Sequence, residues 1–119
     1  MTSTGVEDTA LGRADDPAPA AGRQCPAERT LDLLAGKWRA MVVFWLLPGP
    51  LRFNALQRRL APITHRTLAR TLRDMTADGL VTRRDYGEIP PRVDYALTAR
   101  GRSLEPVLSA MEQWARHNP

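Results

Sequence analysis

The stretch that most constrains this chain is Ala61-Pro62-Ile63, because it makes one helix stop and another start within a few residues. Pro62 has no N–H to offer and its ring collides with the preceding turn, so a helix arriving from Phe53 ends near Leu60. Phe53, Leu56 and Leu60 form the inner face of that helix, and Arg58 and Arg59 face out. Thr64 then stands where an N-cap belongs. Beyond it, Leu68, Leu72 and Met75 recur at i, i+4 and i+7, which predicts a helix over about 64–78. Gly79 suits the left-handed position past the helix end, and Leu80 can close over it. Two short helices on either side of a three- or four-residue break make a helix-turn-helix.

The segments on either side complete the arrangement. Pro26 suits the first turn of a helix, predicted over about 27–35. A second helix runs from about Lys37 to Leu47, with Trp38, Met41, Val42 and Trp45 on one stripe, until Pro48-Gly49-Pro50 ends it. Nearly everything from Met41 to Leu47 is apolar, which predicts a place in the middle of the core. After Gly79 the period changes from helical to alternating. Val81 to Tyr86 reads as a strand, Gly87 to Pro91 as a turn stiffened by proline, and Val93, Tyr95 and Leu97 as the inward side of a second strand, with Asp94 and Ala96 outward. Thr98 caps a last helix to about His117, which Pro106 should kink or split near Glu105. This order predicts a mainly α chain with a small β-hairpin (α+β): a winged helix-turn-helix.

Length and charge narrow the function. A chain of 119 residues suits one domain. Residues 1–24 hold four acids against two bases and few large apolar side chains, so they read as a flexible tail. Residues 25–119 hold fifteen bases against nine acids and form the expected folded unit. No apolar run approaches the ~20 residues that cross a bilayer, and no secretory leader is visible, which makes the cytoplasm the expected compartment. One cysteine, Cys25, provides neither an internal disulfide nor a zinc site. Catalysis needs convergent ionisable groups. The two histidines, His65 and His117, are far apart in sequence, and no glycine-rich phosphate loop exists, so neither an enzyme, a metal site nor a cofactor is expected.

The outer face of the 64–78 helix carries the functional argument. Arg66, Arg70 and Arg73 stand at i, i+4 and i+7, with the same spacing as the leucines but on another face. Thr64, His65 and Thr67 lie near its N-terminal end, and Ala69 has no bulk to hold a groove wall away. Three arginines on one helix face are often only a solvated surface. Here they fall on the second helix of a helix-turn-helix, and Arg83, Arg84 and Arg92 lie on or beside the hairpin. An apolar back, an arginine-lined front and a positive helix N-terminus suit the major groove of double-stranded DNA. The hairpin, about 83–92, suits phosphates or the minor groove. Arg66 and Arg70 are the candidates for base edges; Arg73, Arg83, Arg84 and Arg92 are the candidates for phosphate.

Six patches then resemble one family in order and spacing: Cys25-Pro26, Gly36-Lys37-Trp38, Arg52-Phe53-Asn54, Asp78-Gly79-Leu80-Val81, Pro90 through Thr98, and Gly101-Arg102. They are similar to the HxlR-type transcriptional regulators, winged-helix proteins related to the MarR type. The resemblance covers residues 25–119. It implies a homodimeric bacterial DNA-binding regulator, whose outer helices make the dimer and whose fourth helix reads the major groove. Leu104, Val107, Leu108, Met111 and Trp114, on the last helix, exceed what a thin domain can cover, so a partner subunit is the expected cover. Repression by occluding a promoter is the expected mode on a pseudo-palindromic operator.

Two readings stay open for Cys25. A thiol ahead of a helix, near Arg23 and Arg29, suits oxidant or electrophile sensing, as the resemblance implies for some members. It also suits a small residue packed at the dimer interface, as part of the fold. Trp38, Trp45 and Trp114 read as core or interface anchors, or as the lining of a pocket for an unknown small-molecule effector. The competing function is a winged-helix module that binds protein without specific DNA binding.

Overall fold

The structure, a computed structural model, describes residues 25–119; the tail expected over 1–24 lies outside the described residues. The chain divides into two units, 1–32 and 33–119. In the first, helix α1 (Pro26–Leu33) begins, with proline where its missing N–H costs nothing. The Cys25 N–H donates to the Glu28 Oε1 at 3.4 Å, and the Arg29 N–H to the Cys25 carbonyl at 3.2 Å. No residue of α1 is buried.

The second unit contains α2 (Lys37–Leu46), β1 (Leu51–Arg52), α3 (Phe53–Arg59), α4 (His65–Ala77), β2 (Val81–Asp85), β3 (Val93–Leu97), α5 (Ala99–Arg102) and α6 (Glu105–His117). Its core is aliphatic: Val42, Val43 and Leu46 of α2, Leu56 and Leu60 around α3, Leu68, Leu72 and Met75 of α4, and Leu80 and Val81 after it are all essentially inaccessible. Burying each such side chain stabilises the fold by roughly 1.5–3 kcal/mol.

The turn between α3 and α4 forms as Pro62 dictates. The Leu60 N–H closes α3 onto the Leu56 carbonyl at 3.0 Å, and Gln57 Nε2 donates to the Ile63 carbonyl at 3.3 Å across the turn. Thr64 caps α4 by accepting from the Thr67 N–H at 3.1 Å. At the other end, the Leu80 N–H reaches the Met75 carbonyl at 2.9 Å and the Gly79 N–H reaches Thr76 at 3.1 Å. This pair of bonds needs the left-handed φ of 76° that Gly79 adopts.

The strands form an antiparallel sheet in the order β1-β3-β2. Arg52 pairs with Asp94 and Arg84 with Asp94 from the other side, while Leu51, Tyr95 and Arg83 form the adjacent row. The two-residue β1 has no sequence signal: Leu51-Arg52 is too short for a period and is recruited by the open edge of β3.

Two expectations are corrected, and a third holds. The expected stripe of α2 is not the buried one: Val42, Val43 and Leu46 point inward, Met41 and Phe44 stay 39% and 44% exposed, and Trp38 and Trp45 are half-buried. From Ala40 to Leu46 every residue is apolar, so no periodic signal there says which side is inside. Asp94, expected outward, is buried, because Arg52 and Arg92 flank it. The last helix splits, as Pro106 required: Thr98 caps the one-turn α5, and α6 restarts at Glu105. Gly101 is fixed there by close approach, since a Cβ would overlap the Leu80 carbonyl oxygen and come within 3.1 Å of Leu97 Cδ2.

Candidate nucleic-acid interface

Helix α4 presents two faces with opposite chemistry. Leu68, Leu72 and Met75 are sealed, whereas Arg66, Arg70 and Arg73 are all exposed and form no ion pair or hydrogen bond with any described residue. Guanidinium groups without an internal acceptor keep their five donors for an outside partner. His65 is exposed at the helix start, with its ring 4.5 Å from that of Phe53. Ala69 is half-buried and leaves room between the arginines.

Thr64 and Thr67, expected at the interface, have local hydrogen-bond partners. Their hydroxyls lie 3.0 Å apart, with Thr64 Oγ1 also holding the Thr67 N–H. Both positions border the exposed face, but their first role is to fix the helix start.

The hairpin arginines separate into two kinds. Arg83 lies in the row of Tyr95, and together with Arg73, Ala69, Thr76 and Ala77 it lines a cleft of about 510 Å³ between α4 and the sheet. The structure therefore brings a cation of α4 and one of β2 to a single groove. Arg84 is exposed on the other face of the strand. Arg92 is different: its guanidinium lies 4.1 Å above the Tyr86 ring and 3.5 Å from Asp94 Oδ2. Unlike Arg83 and Arg84, it is engaged inside the hairpin, on an Asp94 carboxylate that it shares with Arg52.

Sequence reasoning missed two arginines that position this surface. Arg39 Nη1 donates to Asp78 Oδ2 at 2.6 Å and to the Leu33 carbonyl at 2.9 Å, tying the start of α2 to the end of α4. Arg102 Nη1 donates to the Leu47 carbonyl at 3.1 Å and satisfies the end of α2. Both are long-range pairings, for which no local pattern exists.

A second surface is apolar. Met41, Phe44 and Leu47 of α2 and its end line a groove of about 430 Å³ with Leu108 of α6, edged by Glu105, Ser109 and Glu112. Further along α6, Met111 and Trp114 are 49% and 68% exposed. Of the five side chains expected on this surface, Leu104 is corrected: it is buried in the chain's own core, and Val107 and Leu108 are half-buried. The half-buried Trp38 and Trp45 pack against the core. Cys25 is exposed and free. No helix of the described residues is long and apolar enough to cross a membrane.

A helix-turn-helix followed by a sheet-borne hairpin, with an unpaired arginine row on its second helix, defines a winged helix-turn-helix protein. Residues 33–119 match the model of the HxlR-like helix-turn-helix family, and the chain belongs to that family. It is 43% identical over 94 residues to the HTH-type transcriptional regulator YybR of Bacillus subtilis (strain 168), covering 79% of this chain and 75% of that protein. Among solved structures it resembles the redox regulator HypR in its oxidized form, with 42% identity, a TM-score of 0.74, and coverage of 80% of this chain and 98% of that one. The reduced form of the transcriptional regulator YodB from B. subtilis is also similar, with 30% identity, a TM-score of 0.72, and coverage of 80% and 94%.

Proposed function

We propose that this chain is a DNA-binding transcriptional regulator that acts as a homodimer, and as a repressor, on a pseudo-palindromic operator. The observation that carries this reading is the exposed row of Arg66, Arg70 and Arg73, unpaired among the described residues on a helix whose other face is sealed in the core. The names of YybR, HypR and YodB, all regulators, support it.

In this mechanism α4 enters the major groove and the β2–β3 hairpin lies against the flanking backbone or minor groove. Arg66 and Arg70, nearest the helix start, pair with base edges, with guanine O6 and N7 as the fitting bidentate acceptors. Arg73, Arg83 and Arg84 neutralise phosphates. The exposed apolar surface of α2 and α6 supports a two-fold dimer, which presents two α4 helices to half-sites about 34–36 Å apart. A duplex held in this way is closed to other proteins, and repression follows from occlusion.

The deciding experiment selects bound sequences from random duplexes. A two-fold symmetric motif is expected, and Arg70→Ala should keep low-salt affinity for random duplex while losing about 1–3 kcal/mol of discrimination at one base pair per half-site. An Arg70→Ala chain that enriches the parental motif unchanged would remove α4 from base reading. Absence of any affinity for duplex at low salt would favour the protein-binding module.

Thiol sensing through Cys25 is the second reading, supported by its exposed, free side chain and by likeness to a regulator solved in oxidized and reduced forms. With a single cysteine, oxidation leads to a disulfide between subunits or with a small thiol. Diamide or peroxide should then change operator affinity of the parent and leave Cys25→Ser unaffected. Equal responses from both would place the sensitivity elsewhere.

A further inference from the structure

The tip of the β2–β3 hairpin has a chemistry that phosphate binding does not use. Ile89 is 98% exposed, more than any other large apolar side chain among the described residues. Around it the tip reads Gly87-Glu88-Ile89-Pro90-Pro91, with no cation and one acid. A loop serving only to hold phosphate would place its positive charge here; this chain places it below the tip, on Arg83 and Arg84.

The tip is also firmly mounted. Below it, the Tyr86 N–H donates to the Arg92 carbonyl at 3.0 Å, and the Gly87 N–H donates to Asp85 Oδ1 at 2.9 Å. Pro90 and Pro91 fix two φ angles in succession. The arms are joined by the Arg92 guanidinium, 4.1 Å above the Tyr86 ring and 3.5 Å from Asp94 Oδ2. The other Asp94 oxygen lies 3.9 Å from Arg52 Nε on β1, so the clamp reaches through the sheet to the residue before α3. The Asp94 side chain is 11% exposed, and a buried carboxylate flanked by two guanidiniums resists separation from them.

We infer that Ile89 and Pro90 form an apolar wedge for the DNA minor groove, and that Asp94, Arg92, Arg52 and Tyr86 are the positioning residues that hold it. The inference rests on the reading of this chain as a duplex-binding protein and names the part of the contact that is not electrostatic. The minor groove is about 6 Å wide and open to a narrow apolar edge such as the tip presents. Isoleucine and proline in such positions pack on sugars or wedge between base steps, and the cost of opening the step depends on its sequence. The hairpin thereby reads deformability, while the arginines below it grip the backbone on either side.

The test uses the full chain and duplexes that the parent enriches from a random pool, with the base pairs under the hairpin exchanged between A·T and G·C. Ile89→Ser, at so exposed a position, should leave the melting temperature unchanged. It should weaken binding to the enriched duplexes about tenfold. The salt slope should stay parental, the preference among exchanged base pairs should disappear, and Ile89→Val should restore most of both. Parental affinity and preference in Ile89→Ser would overturn the wedge and point to a protein partner for the tip. A parent that enriches no duplex would instead reject the DNA-binding reading, and the wedge with it.

Discussion

Arg83 and Arg92 look alike in the sequence, as arginines on the two arms of one hairpin, yet they should behave differently when removed. Arg83 faces the cleft it shares with Arg73 and has no ion pair among the described residues. Arg92 is held inside the hairpin by Asp94 and the Tyr86 ring. Counting only the unpaired arginines of α4 and the hairpin, outside the base-reading pair, leaves Arg73, Arg83 and Arg84 in each subunit, hence about six phosphate contacts per dimer. At about 0.9 units of slope per phosphate, log K against log salt should fall with a slope near −5, close to a thousandfold loss between roughly 50 and 200 mM salt. Arg83→Ala removes two contacts per dimer and should flatten the slope by about 1.8 units. Arg92→Ala should leave the slope parental while lowering affinity at every salt concentration, because it loosens the hairpin and not the charge match. Gel-shift titrations across a salt series on one enriched duplex read both quantities. If Arg92→Ala flattened the slope as much as Arg83→Ala, the partition of hairpin arginines would be refuted.

Gly101→Ala should destabilise the fold by about 1–3 kcal/mol, since the added methyl meets the Leu80 carbonyl, which is backbone and cannot swing aside. Thermal unfolding followed by circular dichroism measures this, and an unshifted melting temperature would contradict the packing of α5 on Leu80. Thr64→Ala should cost about 1 kcal/mol through loss of the cap on α4; a denaturant midpoint equal to the parent's would assign the helix start to packing alone. Trp114→Glu places charge on the exposed apolar side of α6 and should shift the chain toward monomer in light scattering, with operator affinity falling alongside. A dimer of parental strength would move the subunit contact away from α6.

Much of the fold is legible where local rules act alone. Pro62, Thr64 and Gly79 are sufficient to bound α4, because each acts on the backbone of its own turn. The two stripes of α4 follow from helical spacing, so the exposure of Arg66, Arg70 and Arg73 was readable before any coordinates. Pro106 announces the break before α6 for the same reason: a missing N–H and a clashing ring have effect in any tertiary setting.

Tertiary structure decided whatever depends on partners distant in the chain. The inward side of α2 is chosen by the elements packed against it, since Ala40 to Leu46 are apolar on every side. The sheet register sets Arg83 beside Tyr95 and brings Arg52 of β1 beside Asp94, the carboxylate that Arg92 also meets. Arg39 finds Asp78 across 39 residues, and Gly101 is required by a carbonyl 21 positions earlier in the chain. Helical periods and caps are short-range and additive along the chain, whereas ion pairs and close contacts exist only after the elements have docked.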